Sequence, residues 1–255
     1  MLAERRRLKI IELVNKNNSV TIHELKEIFG VTLMTINRDL REVEKLQKIK
    51  IVRGGAISKS SNIIETALSE RINFNIKAKQ KIAEKAIKLI QSGDSLFLDA
   101  STTSIILAQK IKTMGFDNLT IITNSSVIIN DLIEDKNINA ICIGGTLLRK
   151  FHCFVGPLAE LLVSQLRVAK FFFSASAISI NGDLTDADIQ EVNLKRKMIE
   201  ASNEKFLMVE SNKFNKIGLY KIVEMEKIDI LITDDEKNGE LFIEEIKNKG
   251  IKQII

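Results

Sequence analysis

Cysteine is scarce in this chain: its 255 residues include two, Cys142 and Cys153, with no CxxC pair and no companion histidine cluster. That excludes a disulfide framework and fits reduced thiols acting as small apolar residues in a cytoplasmic protein. Histidine is equally sparse, with only His23 and His152, so neither a metal nor a metal cofactor is expected. No run of about 18 apolar residues occurs, the length a membrane helix needs. The start, Met1-Leu2-Ala3-Glu4-Arg5-Arg6-Arg7, lacks the apolar segment of a secretion signal, so no membrane partner is expected. The single proline, beside abundant Ile and Lys, reflects genome composition as much as physics. What remains is ordinary globular material, 45% hydrophobic and 28% charged, with length for one or two domains and a sizeable core.

Charge is unevenly placed. The first 57 residues carry 12 Lys or Arg against 7 Asp or Glu, whereas the remainder balances 26 against 26. All of the net +5 therefore belongs to the first quarter of the chain. Such a surplus is either an electrostatic footprint for a polyanion or a solvated basic surface, and charge alone leaves both open.

The same quarter reads as three helices and a hairpin. Leu8, Ile11 and Val14, with Ile10 and Leu13 beside them, form a helical stripe that ends at Asn15-Lys16-Asn17-Asn18. Thr21-Ile22-His23-Glu24 is a capping box, so a second helix runs from there to Phe29 and stops at Gly30. Thr32 caps a third helix, Leu33 to about Lys45. Ile49-Lys50-Ile51-Val52 and Ala56-Ile57-Ser58 read as two strands around Gly54-Gly55. In the third helix Leu33, Ile36, Leu40 and Val43 share a packed face, which turns Met34, Arg38, Arg41 and Lys45 outward with Thr35 and Asn37 on the flanks. Those side chains can read base edges and phosphates. The same geometry also serves a surface helix with an Arg38–Glu42 pair, or a winged helix that contacts protein or RNA.

Residues 58–75 are polar and read as a linker. From residue 76 onward, helices alternate with short apolar strands at Ser95–Leu98, Leu119–Ile122, Ala140–Ile143, Lys170–Phe173, Phe206–Val209 and Ile228–Ile232. The intervening helical stretches are Ala78–Gln91, Thr103–Thr113, Ser125–Glu134, Leu158–Leu166, Asn193–Ser202 and Leu241–Asn248. This pattern predicts an α/β domain, with a mostly parallel sheet covered on both faces. Ligands of such sheets sit beyond the carboxyl ends of the strands. There the chain places Asp99-Ala100-Ser101-Thr102-Thr103, Thr123-Asn124-Ser125-Ser126 and Gly144-Gly145-Thr146. Hydroxyls and free backbone N–H groups at helix starts suit a phosphate or another small anion, although each loop is also an ordinary cap. None matches a Walker loop or GxGxxG, which disfavours a nucleoside triphosphate or NAD.

Taken together, Leu25, Phe29, Val31-Thr32, Thr35-Ile36-Asn37-Arg38-Asp39-Leu40 and Gly54-Gly55-Ala56 resemble the DeoR family of bacterial transcriptional regulators. The rest is similar to that family's effector domain, related in fold to sugar-phosphate isomerases. The matching residues are Asp99, Ser101-Thr102-Thr103, Thr123-Asn124-Ser125, Gly144-Gly145-Thr146, Arg149, Gly156-Pro157, Leu184-Thr185, Glu191, Lys195, Ser211 and Lys213-Phe214. The resemblance implies a winged helix-turn-helix over residues 1–57 and an α/β effector and oligomerisation domain over 76–255. It also implies a repressor of carbohydrate genes controlled by a phosphorylated sugar, acting on double-stranded operator DNA as a homo-oligomer, dimer or tetramer. The DNA contacts so implied are Arg5, Thr32, Met34, Thr35, Asn37, Arg38, Arg41, Lys45 and Arg53. The effector contacts are Asp99, Ser101, Thr102, Thr103, Thr123, Asn124, Ser125, Gly144, Gly145, Arg149, Glu191 and Lys213, with no catalytic residue and no cofactor. The chain departs from the pattern at Asn37, where a second Arg is usual, at Gln47, Ile51 and Arg53 in the wing, and at Glu210 and Asn212 beside Lys213. The rival is a sugar-phosphate isomerase or deaminase, for which Asp99, Asp183, Asp186, Asp188, Glu191, His152 and Lys213 offer acids, bases and an amine.

Overall fold

A computed structural model describes residues 3–17, 19–46, 49–52, 55–58, 68, 70–234, 242–243 and 250–255. The chain divides into two units, Met1–Arg71 and Ile72–Ile255. The division falls within the stretch expected as a linker, much of which lies outside the described residues.

The first unit is built from α1 (Ala3–Asn17), β1 (Ser19–Thr21), α2 (Ile22–Phe29), α3 (Leu33–Lys45), β2 (Ile49–Val52) and β3 (Gly55–Ser58). Thr21 makes both halves of the capping box: its Oγ1 accepts from the Glu24 N–H at 3.2 Å, and the Glu24 carboxylate accepts from the Thr21 N–H at 2.7 Å. Gly30, at φ 62°, ends α2 in the left-handed conformation that glycine adopts at least cost. Thr32 Oγ1 caps α3 by accepting from the Thr35 N–H at 3.3 Å.

The wing gains a strand that the sequence reading did not predict. β1 pairs antiparallel with β3, giving the order β1-β3-β2. Gly55 allows the approach, because a Cβ there would meet the Val20 carbonyl oxygen at 2.3 Å.

The core of this unit comprises Ile10, Val14, Val20, Leu25, Ile36, Leu40, Val43, Ile49 and Ala56. Two expectations need correction. Leu8 and Leu33 are 61% and 41% exposed, so neither belongs to the packed stripe of its helix. On α3 the buried face starts a turn later, as Ile36, Asp39, Leu40 and Val43. A carboxylate can occupy that face because its charge is answered there: Asp39 Oδ2 accepts from Arg6 Nε at 2.6 Å and Oδ1 from Arg7 Nε at 2.9 Å. Two arginines of α1 thus fasten the back of α3.

The second unit is a seven-stranded sheet of order β15-β14-β12-β9-β4-β5-β6, parallel at every pairing. Its strands are β4 (Ser95–Leu98), β5 (Leu119–Thr123), β6 (Ile138–Cys142), β9 (Val168–Phe173), β12 (Ser202–Met208), β14 (Ile230–Ile232) and β15 (Gln253–Ile254). The central stretches, such as Leu96-Phe97-Leu98 and Phe171-Phe172-Phe173, are buried apolar runs, as strands covered on both faces must be, whereas the edge strand β6 is largely exposed. Phe97, Phe171 and Phe173 join one core cluster with Val163, Val192, Leu194 and Met198, from α7 (Pro157–Ser164) and α8 (Ile189–Glu200). Strand alternation turns Phe172 and Phe206 to the opposite face, where their rings stack at 4.5 Å. On that side α4 (Ile76–Ala86) lies against β12 and β14, and α5 (Thr102–Met114) against α4 and β9; α6 (Ser126–Leu132) packs on α5. Two small antiparallel additions were not predicted: the hairpin β7 (Thr146–Leu148) with β8 (Cys153–Val155), and the sheet β10 (Ala177–Ile178), β11 (Asp183–Asp186), β13 (Tyr220–Glu224). The helix expected over Leu241–Asn248 lies mostly outside the described residues.

The double arginine clasp makes a prediction. Asp39→Ala strips the buried Arg6 guanidinium of its carboxylate and should destabilise the first unit by about 3–5 kcal/mol, the usual consequence of breaking a buried pair. Urea unfolding of the full chain measures it; a loss below about 1 kcal/mol would show that the clasp is merely a surface contact.

Candidate functional site

Two sites take shape, one on each unit. On the first, the outward face of α3 carries Met34 at 82% exposure, with Arg38, Arg41 and Lys45 also exposed. Met34, Asn37, Arg38, Arg41, Glu42 and Lys45 line one shallow groove. Arg38 and Arg41 form no hydrogen bond or ion pair among the described residues. The Arg38–Glu42 pair is therefore not made. Glu42 accepts instead from Lys45 at 2.7 Å, and that bond and charge hold its carboxyl below the ordinary value. Thr32 and Thr35 share a hydroxyl contact of 2.9 Å at the cap, and the Asn37 amide donates to the Leu33 carbonyl at 2.9 Å. Those three are partly committed to their own helix, while both arginines are uncommitted. Arg5 is exposed on α1. Arg53 lies outside the described residues.

On the second unit the strand order locates the other site. After β6 the chain returns across the sheet and adds β9 on the far side of β4, so β4 and β9 flank the point where winding reverses. Asp99 follows β4 and Ser174 follows β9. Asp99 Oδ1 accepts from the hydroxyls of Ser101 and Ser104, each at 2.6 Å, and Oδ2 from the Ser174 N–H at 3.1 Å. Lys195, 6% exposed on α8, brings its ammonium to Asp186 at 2.7 Å, the Ser174 carbonyl at 2.9 Å and Asp99 at 3.4 Å.

The electrostatics of this cluster are strongly coupled. Burial works against the Lys195 charge, but Asp186, Asp99 and Glu191 outweigh it and hold its pKa above the ordinary value. Burial likewise opposes ionisation of Asp186, yet the Lys195 charge and hydrogen bonds from Lys195 and Ser176 draw its carboxyl down to about 2.

The predicted effector residues divide accordingly. Asp99, Asn124 and Glu191 meet around one closed crevice with Lys195 and Met198, and it leaves no room for a water-sized group. Ser101 caps α5 there, with Thr102 and Thr103 buried in the first turn. The Asn124 amide donates to the Phe154 carbonyl at 3.0 Å, which leaves its Oδ1 buried without a partner; Thr103 Oγ1 is buried and unpartnered too. Such orphaned atoms are costly in a finished interior: the Asn124 oxygen needs a donor such as a ligand hydroxyl, whereas the Thr103 hydroxyl can donate to a ligand hydroxyl or phosphate oxygen.

Thr123 and Ser125 satisfy each other and the α6 cap: Thr123 Oγ1 accepts from the Ser125 N–H at 3.1 Å, and Ser125 Oγ from the Ile128 N–H at 3.3 Å. Gly145, at φ 151°, is demanded by packing, since a Cβ would meet the Val155 carbonyl at 2.7 Å. Gly144 and Arg149 are exposed and bond to none of the crevice side chains. Lys213 meets the cluster at the Ser174 hydroxyl, at 3.4 Å. Ser104, Ser174 and Asp186 were missing from the expected contacts; the buried Lys79 was missed as well, although it was legible as a lysine on the apolar face of its helix. The two thiols differ: Cys142 is exposed, so it is no core hydrophobe, whereas Cys153 is buried and burial pushes its thiol up to about 12.

A winged helix-turn-helix with an uncommitted basic face, followed by an α/β unit with a polar crevice at its switch point, is the architecture of a ligand-sensing transcriptional regulator. Comparisons with known proteins agree. Residues 6–62 match the DeoR-like helix-turn-helix domain and residues 74–235 the DeoR C terminal sensor domain. The helix-turn-helix transcriptional regulator YulB of Bacillus subtilis is 38% identical over 92% of this chain and 90% of its own. The L-fucose operon activator of Haemophilus influenzae is 32% identical over 88% and 89%, and the lactose phosphotransferase system repressor of Staphylococcus epidermidis 33% over 89% and 90%. Among solved structures, ribose 5-phosphate isomerase A of Methanocaldococcus jannaschii is similar at a TM-score of 0.41 and 16% identity, with 55% of each chain covered. This chain belongs to the DeoR family of helix-turn-helix transcriptional regulators, and it is a regulator rather than an enzyme. Its second unit is that family's sensor domain.

The depressed Asp186 pKa has a measurable consequence. A carboxyl at about 2 in the fold, against 3.8 ordinarily, contributes stability that is fully present above about pH 4 and lost as pH falls towards 2; the shift corresponds to roughly 2 kcal/mol. Asp186→Asn should therefore lower stability by about that much near neutrality, with the gap closing below pH 4. Denaturant unfolding across pH 2–7 checks it; a gap independent of pH would contradict the assignment.

Proposed function

We propose that this chain represses genes of carbohydrate use, and that a phosphorylated sugar bound at the crevice beyond β4 and β5, against α8, controls its hold on operator DNA. The observation that carries this reading is the pair of buried orphan atoms, Thr103 Oγ1 and Asn124 Oδ1, beside the capped start of α5 and the Lys195–Asp99 pair. A helix start supplies N–H groups for phosphate oxygens. Asn124, Asp99 and Glu191 supply partners for sugar hydroxyls. The L-fucose operon and the lactose phosphotransferase system in the names of two relatives support a role in sugar use.

On the DNA side, Arg38 and Arg41 are the residues with donors to spare, and Met34 offers an apolar contact. Thr35 and Asn37 present what their helix leaves free, while Arg5, Thr32, Lys45 and Arg53 serve the phosphates. One winged head covers too little DNA for tight binding, so the regulator works as a homo-oligomer, a dimer or a tetramer, on paired half-sites in the cytoplasm. Ligand shifts operator affinity only by its differential affinity for the two arrangements, typically about 1–3 kcal/mol.

Arg38→Ala should weaken specific operator binding by about 1–3 kcal/mol while leaving non-specific binding nearly unchanged, with wild-type affinity falling steeply as salt rises. Fluorescence anisotropy on operator and scrambled duplexes measures both. Equal loss on every sequence makes Arg38 a phosphate contact, and a chain that selects no sequence ends the repressor reading. A thermal-shift panel of phosphorylated sugars, with DNA release followed for each hit, tests the effector.

A further inference from the structure

Lys79 is 2% exposed and shares the buried face of α4 with Ile82, Ala83 and Ala86. Its ammonium donates to the carbonyl of Phe74, just ahead of the helix, and lies 3.4 Å from Glu210 Oε1. The same carboxylate oxygen takes the ammonium of Lys213 at 3.5 Å. Lys213 also donates to the Ser174 hydroxyl, and the Ser174 N–H donates to Asp99. The two lysines and Glu210 are therefore continuous with the crevice.

This arrangement is incompletely satisfied. Two cations share one oxygen of a carboxylate that is 2% exposed, while its other oxygen, Oε2, is buried without a hydrogen-bond partner. Asn212 Oδ1, two residues along the chain, is likewise unpartnered. Burial pulls the pKa of Lys213 down, and the charges of Lys79 and Lys195 add to that against the opposing pull of Glu210. A phosphoryl group brings about −1.5 to −2 of charge and three acceptor oxygens. Placed beside Lys213 it would face the Glu210 carboxylate at close range, and two like charges so near in a buried site oppose each other, so the carboxylate must move away or lose its charge.

We propose that Glu210 is an internal counter-anion that holds the place of the effector's phosphate beside Lys213 and Lys79, and that effector binding displaces it. The proposal rests on the sugar-phosphate reading above. It also gives the site an output. Lys79 bonds the Phe74 carbonyl next to Asn75, which sits in the left-handed region at φ 52°, where the chain leads into α4. A phosphate that takes over from Glu210 changes the partner of Lys79, and with it the hold on that turn.

The test is a thermal-shift titration of the full-length chain with inorganic phosphate. Glu210→Gln should melt lower than wild type without phosphate and reach half its maximal shift at roughly tenfold less phosphate, because the competing charge is gone. Glu210→Asp, one methylene shorter, should fall between them. Glu160→Gln, which removes the same charge on α7, should match wild type. Equal half-saturation in wild type and Glu210→Gln, or no response in either, overturns the proposal. If Glu210→Gln does not fold, the Glu210→Asp comparison decides. A wild type that binds a phosphorylated sugar no more weakly than the Glu210 variants do removes the counter-anion and leaves the effector reading standing. Tight phosphate binding by Glu210→Gln, beside a wild type that answers to no phosphorylated sugar, retains the counter-anion and removes that reading.

Discussion

A buried ammonium at the reversal of the sheet is the constraint on which the sensor unit depends. Lys195 leaves α8 and ends among Asp186, Asp99 and the Ser174 carbonyl, so one charge joins a helix, the ends of two sheet strands and the small sheet that carries β11. Removing any of these from water costs several kcal/mol per ion, and only close mutual pairing recovers it. The pairing therefore fixes where β4, β9 and β11 stand relative to one another. The same groups that settle the fold also line the crevice, so any ligand there must exchange its own polar contacts for ones the protein already makes to itself. That is why the crevice is closed and yet contains atoms with nothing to bond.

Local chemistry made much of the first unit legible. The Thr21–Glu24 box, Gly30 and the Thr32 cap each depend on residues within four positions, and all formed as read. The parallel sheet was legible for a related reason: strands covered on both faces must be apolar runs, and short runs such as Phe171-Phe172-Phe173 have few other uses. What stayed hidden was nonlocal. β1 is three residues long and acquires its identity only from pairing with β3. β11 needs β13, more than thirty residues away.

The misread side chains share one cause. Hydrophobic periodicity assigns Leu8 and Leu33 to the core and passes over Asp39 and Lys79, because it scores a residue by its own polarity. Asp39 and Lys79 are buried because partners from elsewhere in the chain neutralise them: Arg6 and Arg7 for the first, Glu210 and the Phe74 carbonyl for the second. Charged groups on a predicted apolar face are thus a signal in themselves, pointing to a compensating group that the sequence does not name. In the crevice, loops chosen for their Ser, Thr and Gly content separated by the same logic. Asp99 and Asn124 meet there, whereas Ser125 and Gly145 serve the backbone around them.

The clasp on the back of α3 bears on how such regulators diversify. Stability of the head is vested in Ile36, Asp39, Leu40 and Val43, whereas Met34, Arg38 and Arg41 stand in solvent and support nothing behind them. Exchanges at those outward positions therefore carry little folding penalty, since surface changes away from such features usually fall within about 0.5 kcal/mol. Change at the outward positions can therefore pass through folded intermediates, with the anchoring half of the helix constrained and the solvent-facing half free to vary.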